Sequence, residues 1–296
     1  MTTESRQGLY RKQGLTQTEL AEIEQLARIC NTYEGLDLKL NWETLRSRSL
    51  NVTSDFLYYA QDTLVGFLGL YAFNAEEAEI GGMVHPAYRR RGIFTELLNA
   101  VQEETRRRNI PSVLLIVEHA SASGQAFAAT FPTTYNHSEY KMVLEQFRQP
   151  ESFDERLQLR EARIDDLPAL KHITAGAFGM AYDEVDWYSV HVLENSARRY
   201  YLATLTNVVI GKLDVSLEGQ TAFIYGFAVQ PEYRGRGYGR QILARTIQEL
   251  LAMGQEHIAL EVATENRNAL SLYQSCGFRE TGSYDYYALA VPGDRE

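Results

Sequence analysis

The strongest constraint on the fold of this chain is an internal repeat. A single offset that holds over a hairpin, a loop and a terminal strand predicts two copies of one α/β arrangement. The length of 296 residues agrees with this, because two domains of ordinary size can each bury a core. Five pairs of matching residues are separated by 145 positions: Gly66 and Gly211, Pro86 and Pro231, Arg89 and Arg234, Gly92 and Gly237, and Leu144 and Leu289.

Each half alternates strand-like runs with runs of helical spacing. This alternation predicts an α/β (mixed α+β) class, with a mixed, mostly antiparallel sheet covered on both faces by helices. The second half repeats the order of the first. That order is a helix from about Thr16, strands at 56–60, 64–72 and 79–85, a helix around 94–101, a strand at 112–117, a helical segment at 125–129 and a strand at 140–144.

The boundary between the halves is predicted from composition. Residues 145–153 contain Pro150 and many polar side chains, which favours a linker. The predicted domains are therefore residues 1–148 and 156–296. Residues 1–14 are polar, and we expect them to be irregular.

Composition and charge narrow the class of protein. With 45% hydrophobic and 23% charged residues, the chain has the profile of a soluble globular protein. The net charge of −10 argues against a nucleic-acid partner and favours a cationic, amine-bearing substrate. Two cysteines and a polar start without a signal segment predict a cytoplasmic location, and no apolar run is long enough to predict a membrane span. The six histidines lack metal-site spacing, so we predict no metal.

One stretch of the second half has the pattern of an anion-binding site. A strand over residues 224–230 leads into a turn with glycines at alternate positions, Gly235, Gly237 and Gly239, and a helix follows to residue 251. Glycines allow a ligand to approach the backbone, and the first N–H groups of a helix favour phosphate. The stretch matches neither the Rossmann fingerprint nor the Walker loop, since Arg240 follows the last glycine and no Gly-Lys-Ser/Thr is present.

Two motifs of the second half together resemble the GNAT superfamily of N-acetyltransferases. The family's acyl-CoA signature is Arg/Gln-x-x-Gly-x-Gly/Ala, and residues 234–239 fit it. A second signature, Asn-x-x-Ala-x-x-Leu-Tyr-x-x-x-Gly-Phe, occurs from Asn266 to Phe278. The resemblance implies two tandem acyl-CoA N-acyltransferase folds that cover nearly the whole chain. The tandem arrangement is also similar to that of mycothiol synthases.

The resemblance implies a set of site residues. Tyr273 is the candidate general acid for the departing thiolate, and Glu261 is the candidate base that removes the ammonium proton, as in the similar ribosomal-protein alanine acetyltransferases. An alternative role for Glu261 is pairing with a local arginine or solvation at a strand end, and the fallback bases are Asp214, Glu218 and Asp285. Asn266 contacts the cosubstrate, caps its helix, or does both. The implied acetyl-CoA-binding residues are Phe227, Ala228, Val229, Arg234, Gly235, Arg236, Gly237, Tyr238, Gly239, Arg240, Asn266 and Ala269.

The first copy keeps part of the loop but not the acid–base groups. Arg89 and Gly92 match the loop, whereas Phe94 stands where the second copy has Gly239. We therefore expect turnover in the second copy alone, and whether the first copy binds CoA stays open. The second motif is replaced at three matching positions, and the base candidate before it is replaced as well: Ser121 for Asn266, Ala128 for Tyr273, Pro132 for Gly277 and Ile116 for Glu261.

The resemblance to the GNAT superfamily therefore implies an acetyl-CoA-dependent N-acetyltransferase. An acetyl group passes directly from acetyl-CoA to a primary amine in a ternary complex, without a covalent enzyme intermediate. The acceptor is a small molecule or a peptide, and its identity is set by variable loops such as residues 176–195. The alternative is a non-catalytic acyl-CoA-binding or scaffolding protein.

Overall fold

The computed structural model describes residues 5–291, which form two compact units. Unit 1 comprises residues up to 138 together with those from 282 onward, and unit 2 comprises residues 139–281. The chain passes from one unit to the other within strands β6 (Thr134–Leu144) and β12 (Phe278–Ala290).

Unit 1 contains a sheet in the order β1-β2-β3-β4-β5-β12. Only the β4–β5 pair is parallel. Thr16 and Glu19 form a capping box at the start of α1, and Gly35 ends this helix in a left-handed conformation. The remaining elements of unit 1 are β1 (Gly8–Lys12), α1 (Gln17–Glu34), α2 (Trp42–Arg46), β2 (Asp55–Ala60), β3 (Thr63–Ala72), β4 (Glu77–Val84), α3 (Ile93–Arg107), β5 (Ser112–Glu118) and α4 (Ala122–Ala128).

Unit 2 contains a sheet in the order β6-β11-β10-β9-β8-β7, with β10 and β11 parallel. Its elements are β7 (Leu157–Glu161), α5 (Leu167–Phe178), α6 (Val190–Leu193), β8 (Arg198–Leu205), β9 (Val208–Glu218), β10 (Thr221–Val229), α7 (Tyr238–Ala252), β11 (His257–Ala263) and α8 (Arg267–Cys276). The bounds of α3 and α7 differ by 145 residues, and so do those of β5 and β11, so the predicted repeat is present in the structure.

The two faces of the unit 2 sheet carry different hydrophobic clusters. On one face Leu213, Val215 and Ile224 pack with apolar residues of α7 and α8. On the other face Tyr200 and Leu202 pack with apolar residues of α5 and with Tyr188. Each side of the sheet is therefore covered by helices, as the fold class predicts.

The terminal strands are grouped differently from the predicted domains 1–148 and 156–296. Residues 139–143 of β6 pair with β11 of unit 2, and residues 284–290 of β12 pair with β5 of unit 1. The two terminal strands occupy the same place in the repeat, so the offset alone does not show which central strand each will pair with. Residues 145–156 form no helix or strand, as expected for a linker. Within this segment the backbone N–H of Arg148 donates a hydrogen bond to the Cys276 carbonyl at 2.9 Å.

The start of the chain departs from the expectation of an irregular segment over residues 1–14. Residues 1–4 lie outside the described part of the chain, but Gly8–Lys12 form β1. This strand pairs antiparallel with β2, from Gly8 opposite Tyr59 to Lys12 opposite Asp55. The expectation was wrong for these residues, because the β2 edge supplies the hydrogen bonds that a polar segment cannot supply for itself.

Candidate active site

The centre of unit 2 is an opening between two parallel strands. β10 and β11 pair over four positions, from Thr221 opposite His257 to Ile224 opposite Leu260. Both strands continue beyond the last pair, to Val229 and Ala263, without further pairing to each other. The facing backbone of residues 225–229 is therefore available to an extended ligand, as the resemblance implies for Phe227, Ala228 and Val229.

A bulge in β10 lies at the start of this opening. Tyr225 is opposite Asp214 of β9, and Ala228 is opposite Lys212, so β10 has one residue more than β9 between these pairs. Gly226 within the bulge has a φ of +54°, which favours glycine. A bulge changes the direction of the strand and of its N–H groups.

The loop after β10 has the geometry of an anion site. Gly235 and Gly237 have φ values of +72° and +80°, and Gly237 is the N-cap of α7. The first backbone hydrogen bond of this helix runs from the N–H of Gln241 to the carbonyl of Gly237. The N–H groups of residues 238–240 therefore have no hydrogen-bond acceptor within the helix. These amides and the helix dipole favour a phosphate group.

The arginines of this loop have different surroundings. Arg234 Nε donates to the Val229 carbonyl of its own strand at 2.8 Å, which closes the loop. Arg240 Nη2 lies 3.4 Å from the Ser275 carbonyl at the end of α8, while Arg236 is exposed. Arg234 is exposed as well, but its Nε is bonded to the strand, so Arg236 is an exposed cation suited to a solvent-side phosphate.

Tyr238 and Gly239 contribute packing rather than an exposed side chain. Tyr238 is buried, and its hydroxyl lies 3.4 Å from Asp154 Oδ2. A Cβ atom at Gly239 would lie 2.8 Å from Leu272 Cδ1 of α8. The absence of a side chain at Gly239 thus allows α7 and α8 to approach each other closely.

Helix α8 begins at Asn266 and carries Tyr273. The Asn266 side chain accepts a hydrogen bond from Ala269 N at 3.2 Å, which is the predicted capping role, and Ala269 packs against the core of unit 2. Tyr273 is buried, with its ring centroid 6.1 Å from that of Phe278. Burial raises the pKa of Tyr273 to about 12, so its phenol stays protonated at neutral pH, as a proton donor requires.

Glu261 lies on β11 next to the opening. It is half-buried, and its neighbours Leu260 and Val262 lie in the core on the other face of the sheet. Lys141 of β6 occupies the position directly opposite Glu261 in the antiparallel ladder. Such cross-strand neighbours are close enough to interact, so the position suits both the predicted base and the alternative of a carboxylate paired with a cation.

The three fallback bases lie in different places. Asp214 is buried beside the bulge, whereas Glu218 is exposed at the end of β9, opposite Thr221.

Asp285 belongs to unit 1, because the end of β12 pairs with β5. It accepts hydrogen bonds from Ser138 Oγ at 2.6 Å and Gln125 Nε2 at 2.8 Å, and His119 Nδ1 is 2.8 Å away. Burial alone would raise the pKa of Asp285, but these bonds outweigh it and lower the pKa.

Three polar residues beside the bulge were not predicted from the sequence. Lys212 and Tyr188 contact Asp214, and the buried Tyr225 hydroxyl lies within the electrostatic influence of that carboxylate. A signal was present, since Lys212 and Asp214 alternate with Leu213 and Val215 in a strand whose two faces are both covered. A charged pair on one face of such a strand is unusual.

Unit 1 keeps the loop geometry without the bulge. Arg90 and Gly92 have φ values of +63° and +80°, and Arg89 Nε donates to the Val84 carbonyl at 3.2 Å. Phe94 packs edge to face on Phe127, with centroids 4.7 Å apart. Strands β3 and β4 pair without interruption from residue 66 opposite 84 to residue 72 opposite 78. The repeated sequence therefore preserves the turn but not the distorted strand.

Two features bear on other functions. Within residues 5–291, no three His, Cys, Asp or Glu side chains are arranged to hold a metal ion. None of the helices in the same range combines the length and the apolar character that a membrane span requires.

Several relatives identified by sequence are named as N-acetyltransferases. The chain is 35% identical over 127 residues to the [ribosomal protein bS18]-alanine N-acetyltransferase of Escherichia coli K12, a match that covers 41% of this chain and 81% of that enzyme. It is 44% identical over 62 residues to the uncharacterized N-acetyltransferase YycN of Bacillus subtilis, covering 21% of this chain and 40% of that protein. The match therefore spans less than half of YycN.

Solved structures and a family model cover more of the chain. A GCN5-related N-acetyltransferase from Sphaerobacter thermophilus matches with a TM-score of 0.78 at 18% identity, covering 97% of this chain and 98% of that one. A tandem GNAT protein from the clavulanic acid biosynthesis pathway matches with a TM-score of 0.75 at 14% identity, covering 97% and 99%. These two likenesses show the tandem fold. The model of the Acetyltransferase (GNAT) family matches residues 18–131 and again residues 158–278, and on this double match the chain belongs to the GNAT family of N-acetyltransferases.

Proposed function

We propose that the chain is an acetyl-CoA-dependent N-acetyltransferase whose active site lies in unit 2. The observation that carries the proposal is that one unit combines the opening between β10 and β11, the bulge at Gly226, the glycine loop before α7 and the buried phenol of Tyr273. The GNAT family and the structural neighbour named in relation to AcCoA support acetyl-CoA as the acetyl donor.

The residues of unit 2 suit the binding of acetyl-CoA. The amides of residues 238–240 and the exposed Arg236 would hold the pyrophosphate, and the unpaired edge of residues 227–229 would hydrogen-bond the pantetheine arm, with Asn266 beside it. This assignment needs no side chain from unit 1.

The proposed reaction is direct acetyl transfer. Glu261 removes a proton from the acceptor ammonium, and the neutral nitrogen attacks the thioester carbonyl carbon. A backbone N–H of the bulged strand stabilises the oxyanion. The tetrahedral intermediate then collapses: the C–N bond is kept, the C–S bond breaks, and the Tyr273 hydroxyl gives its proton to the leaving sulfur. The attacking nitrogen loses its second proton, which restores the Tyr273 phenol directly or through water, and Glu261 releases its proton to solvent. The products are the acetylated amine and free CoA.

The proposed acceptor is a primary amine, on a small molecule or at a peptide N-terminus. Matching relatives are named as an alanine N-acetyltransferase of a ribosomal protein and as a spermidine N(1)-acetyltransferase, so both kinds of amine occur among them. The net charge of −10 also favours a cationic acceptor. A cytoplasmic location remains a prediction from the two cysteines, both of which are free and buried.

The test is the release of free CoA from acetyl-CoA in the presence of single amines, with polyamines, amino sugars and short peptides as the panel. We expect release that depends on both the amine and the enzyme. Binding of acetyl-CoA by the full chain without release for any amine would instead support the non-catalytic alternative.

The Glu261→Gln variant tests the base. We expect kcat/KM to fall about 100-fold at pH 7, which is within the range for loss of a general base. The deficit should shrink at pH 9 to 10, because more acceptor is then already unprotonated. The measurement is a pH–rate profile of variant and wild type with one amine.

The matched control for this variant is Glu218→Gln, which removes an exposed carboxylate at the end of β9. It should leave the profile unchanged. Parallel profiles for Glu261→Gln and wild type would contradict the assignment and transfer the role to Asp214, Glu218 or Asp285, and a changed profile for Glu218→Gln would single out Glu218.

A further inference from the structure

A buried ionic network lies against the bulge of unit 2. The Lys212 and Asp214 side chains are 0% and 2% exposed, and Lys212 Nζ is 2.5 Å from Asp214 Oδ2. The Tyr188 hydroxyl donates to the same Asp214 oxygen at 2.6 Å and also contacts Lys212 Nζ. Thr174 Oγ1 of α5 lies 3.3 Å from that hydroxyl. Helix α5, the segment before α6 and strand β9 therefore meet in one polar cluster.

The network is in contact with the bulge itself. Lys212 and Asp214 are the β9 residues opposite the two ends of the bulge, Ala228 and Tyr225. A Cβ atom placed on Gly226 would lie 2.6 Å from Asp214 Oδ2 and 3.0 Å from Lys212 Nζ. Only glycine fits at this position, both because of its positive φ and because the charged pair fills the space beside its Cα.

The network is not explained by stability. Burial lowers the pKa of Lys212 and raises that of Asp214, and their ion pairing only partly opposes these shifts. Asp214 Oδ1 is buried without a hydrogen-bond partner among the described residues. An unsatisfied buried polar group costs about 1–3 kcal/mol, and an apolar pair of similar volume is often at least as stable as a buried ion pair.

Unit 1 provides an internal comparison. At the positions that match Lys212 and Asp214 it has Phe67 and Gly69, and the β3–β4 ladder there has no bulge. The same fold therefore forms with an aromatic residue and a glycine at these two places. The charged pair and the bulge occur together in the unit that carries the acid and base candidates.

We propose that Lys212, Asp214 and Tyr188 form a positioning network for acetyl transfer. The network holds the bulge at Tyr225–Gly226 in one conformation. It thereby sets the direction of the backbone N–H groups that face the thioester. This inference rests on the proposed function. The three residues act through the strand, so their loss is expected to lower kcat rather than the affinity for acetyl-CoA.

The test is the double variant Lys212→Met with Asp214→Val in the full chain. Because both charges are removed together, we expect the unfolding temperature to stay within a few degrees of wild type or to rise, as for other apolar replacements of buried pairs. The Kd for acetyl-CoA should change less than about threefold, while kcat with a responsive amine falls about 30-fold or more, as expected when donors in an oxyanion site are displaced. Lys212→Met alone should lower the unfolding temperature, since it leaves a buried carboxylate without its cation.

A double variant that folds and retains wild-type kcat and KM would overturn the proposal.

If the double variant does not fold, Tyr188→Phe replaces it, because it removes only the hydroxyl shared by Lys212 and Asp214. We expect its kcat to fall about tenfold with acetyl-CoA affinity retained, in line with the loss of one hydrogen bond to a charged group. An unchanged kcat overturns the proposal here too. A wild-type chain that binds acetyl-CoA but acetylates no amine would overturn the proposed function together with this inference, whereas wild-type turnover with unaffected variants overturns the inference alone.

Discussion

Tyr273→Phe is expected to lower kcat about 100-fold or more, the usual range for loss of a general acid, while the Kd for acetyl-CoA changes less than about twofold. The phenol is buried, and only its hydroxyl is removed, so ring packing against Phe278 is retained. Burial raises the pKa of Tyr273 to about 12, so the hydroxyl should remain a donor as the pH rises to 9 or 10. The measurements are steady-state turnover and direct acetyl-CoA binding.

Tyr201→Phe is the matched control for this variant. Tyr201 is a second buried tyrosine of the same hydrophobic cluster, and its hydroxyl is hydrogen-bonded to Glu249. We expect a change in stability but a kcat close to that of wild type. Equal turnover by Tyr273→Phe and wild type at saturating substrates would show that the sulfur receives its proton from another group, such as water.

Gly237→Asp is expected to abolish measurable acetyl transfer, with kcat/KM for acetyl-CoA lower by about 1,000-fold or more. The carboxylate would lie at the N-terminus of α7, where a phosphate is proposed to bind, and like charges at such a distance repel strongly. Gly92→Asp in unit 1 is the control, and it should retain most of the activity.

The structure makes these two variants a matched pair. Gly92 and Gly237 both have a φ of +80° and both precede the first residue of a helix. A Cβ atom would meet no other atom within 4 Å at either position. The backbone strain of the substitution is therefore the same at both positions, and a difference in activity shows which loop binds the phosphates of acetyl-CoA.

Gly237→Asn, which adds a similar side chain without charge, should lose less activity than Gly237→Asp. If Gly92→Asp is the inactivating change, the active copy is in unit 1.

Local sequence patterns predicted the parts of the site that depend on neighbouring residues. The glycine loop, the N-cap at Asn266 and the alternation that separates Glu261 from Leu260 and Val262 follow from backbone conformation and from the period of a strand. The 145-residue offset predicted α7 as the counterpart of α3, with matching ends. The loop, the N-cap and the alternation were confirmed because each depends on a short stretch of chain, and the offset was confirmed because the second copy repeats those local patterns.

Contacts between segments that are far apart in the sequence could be identified only from the tertiary structure. Asp285 follows the second family motif in sequence, yet its strand pairs with β5 and places it beside His119 in unit 1. Tyr188 lies 26 residues before Asp214 and donates to it, which no local pattern indicates. Strand pairing and buried hydrogen bonds depend on which groups meet in space, so these positions required the fold.

By itself, the sequence determined that the chain contains two copies of one fold and that the second copy retains the acyl-CoA loop and the acid–base candidates. The tertiary structure decided which terminal strand completes each sheet, that β10 is bulged where its counterpart β4 is not, and that Lys212 and Asp214 fill the space beside Gly226. The physical reason is that periodicity and glycine placement are properties of short segments. A β-ladder register and a buried ion pair are instead selected by the mutual fit of strands far apart in the chain.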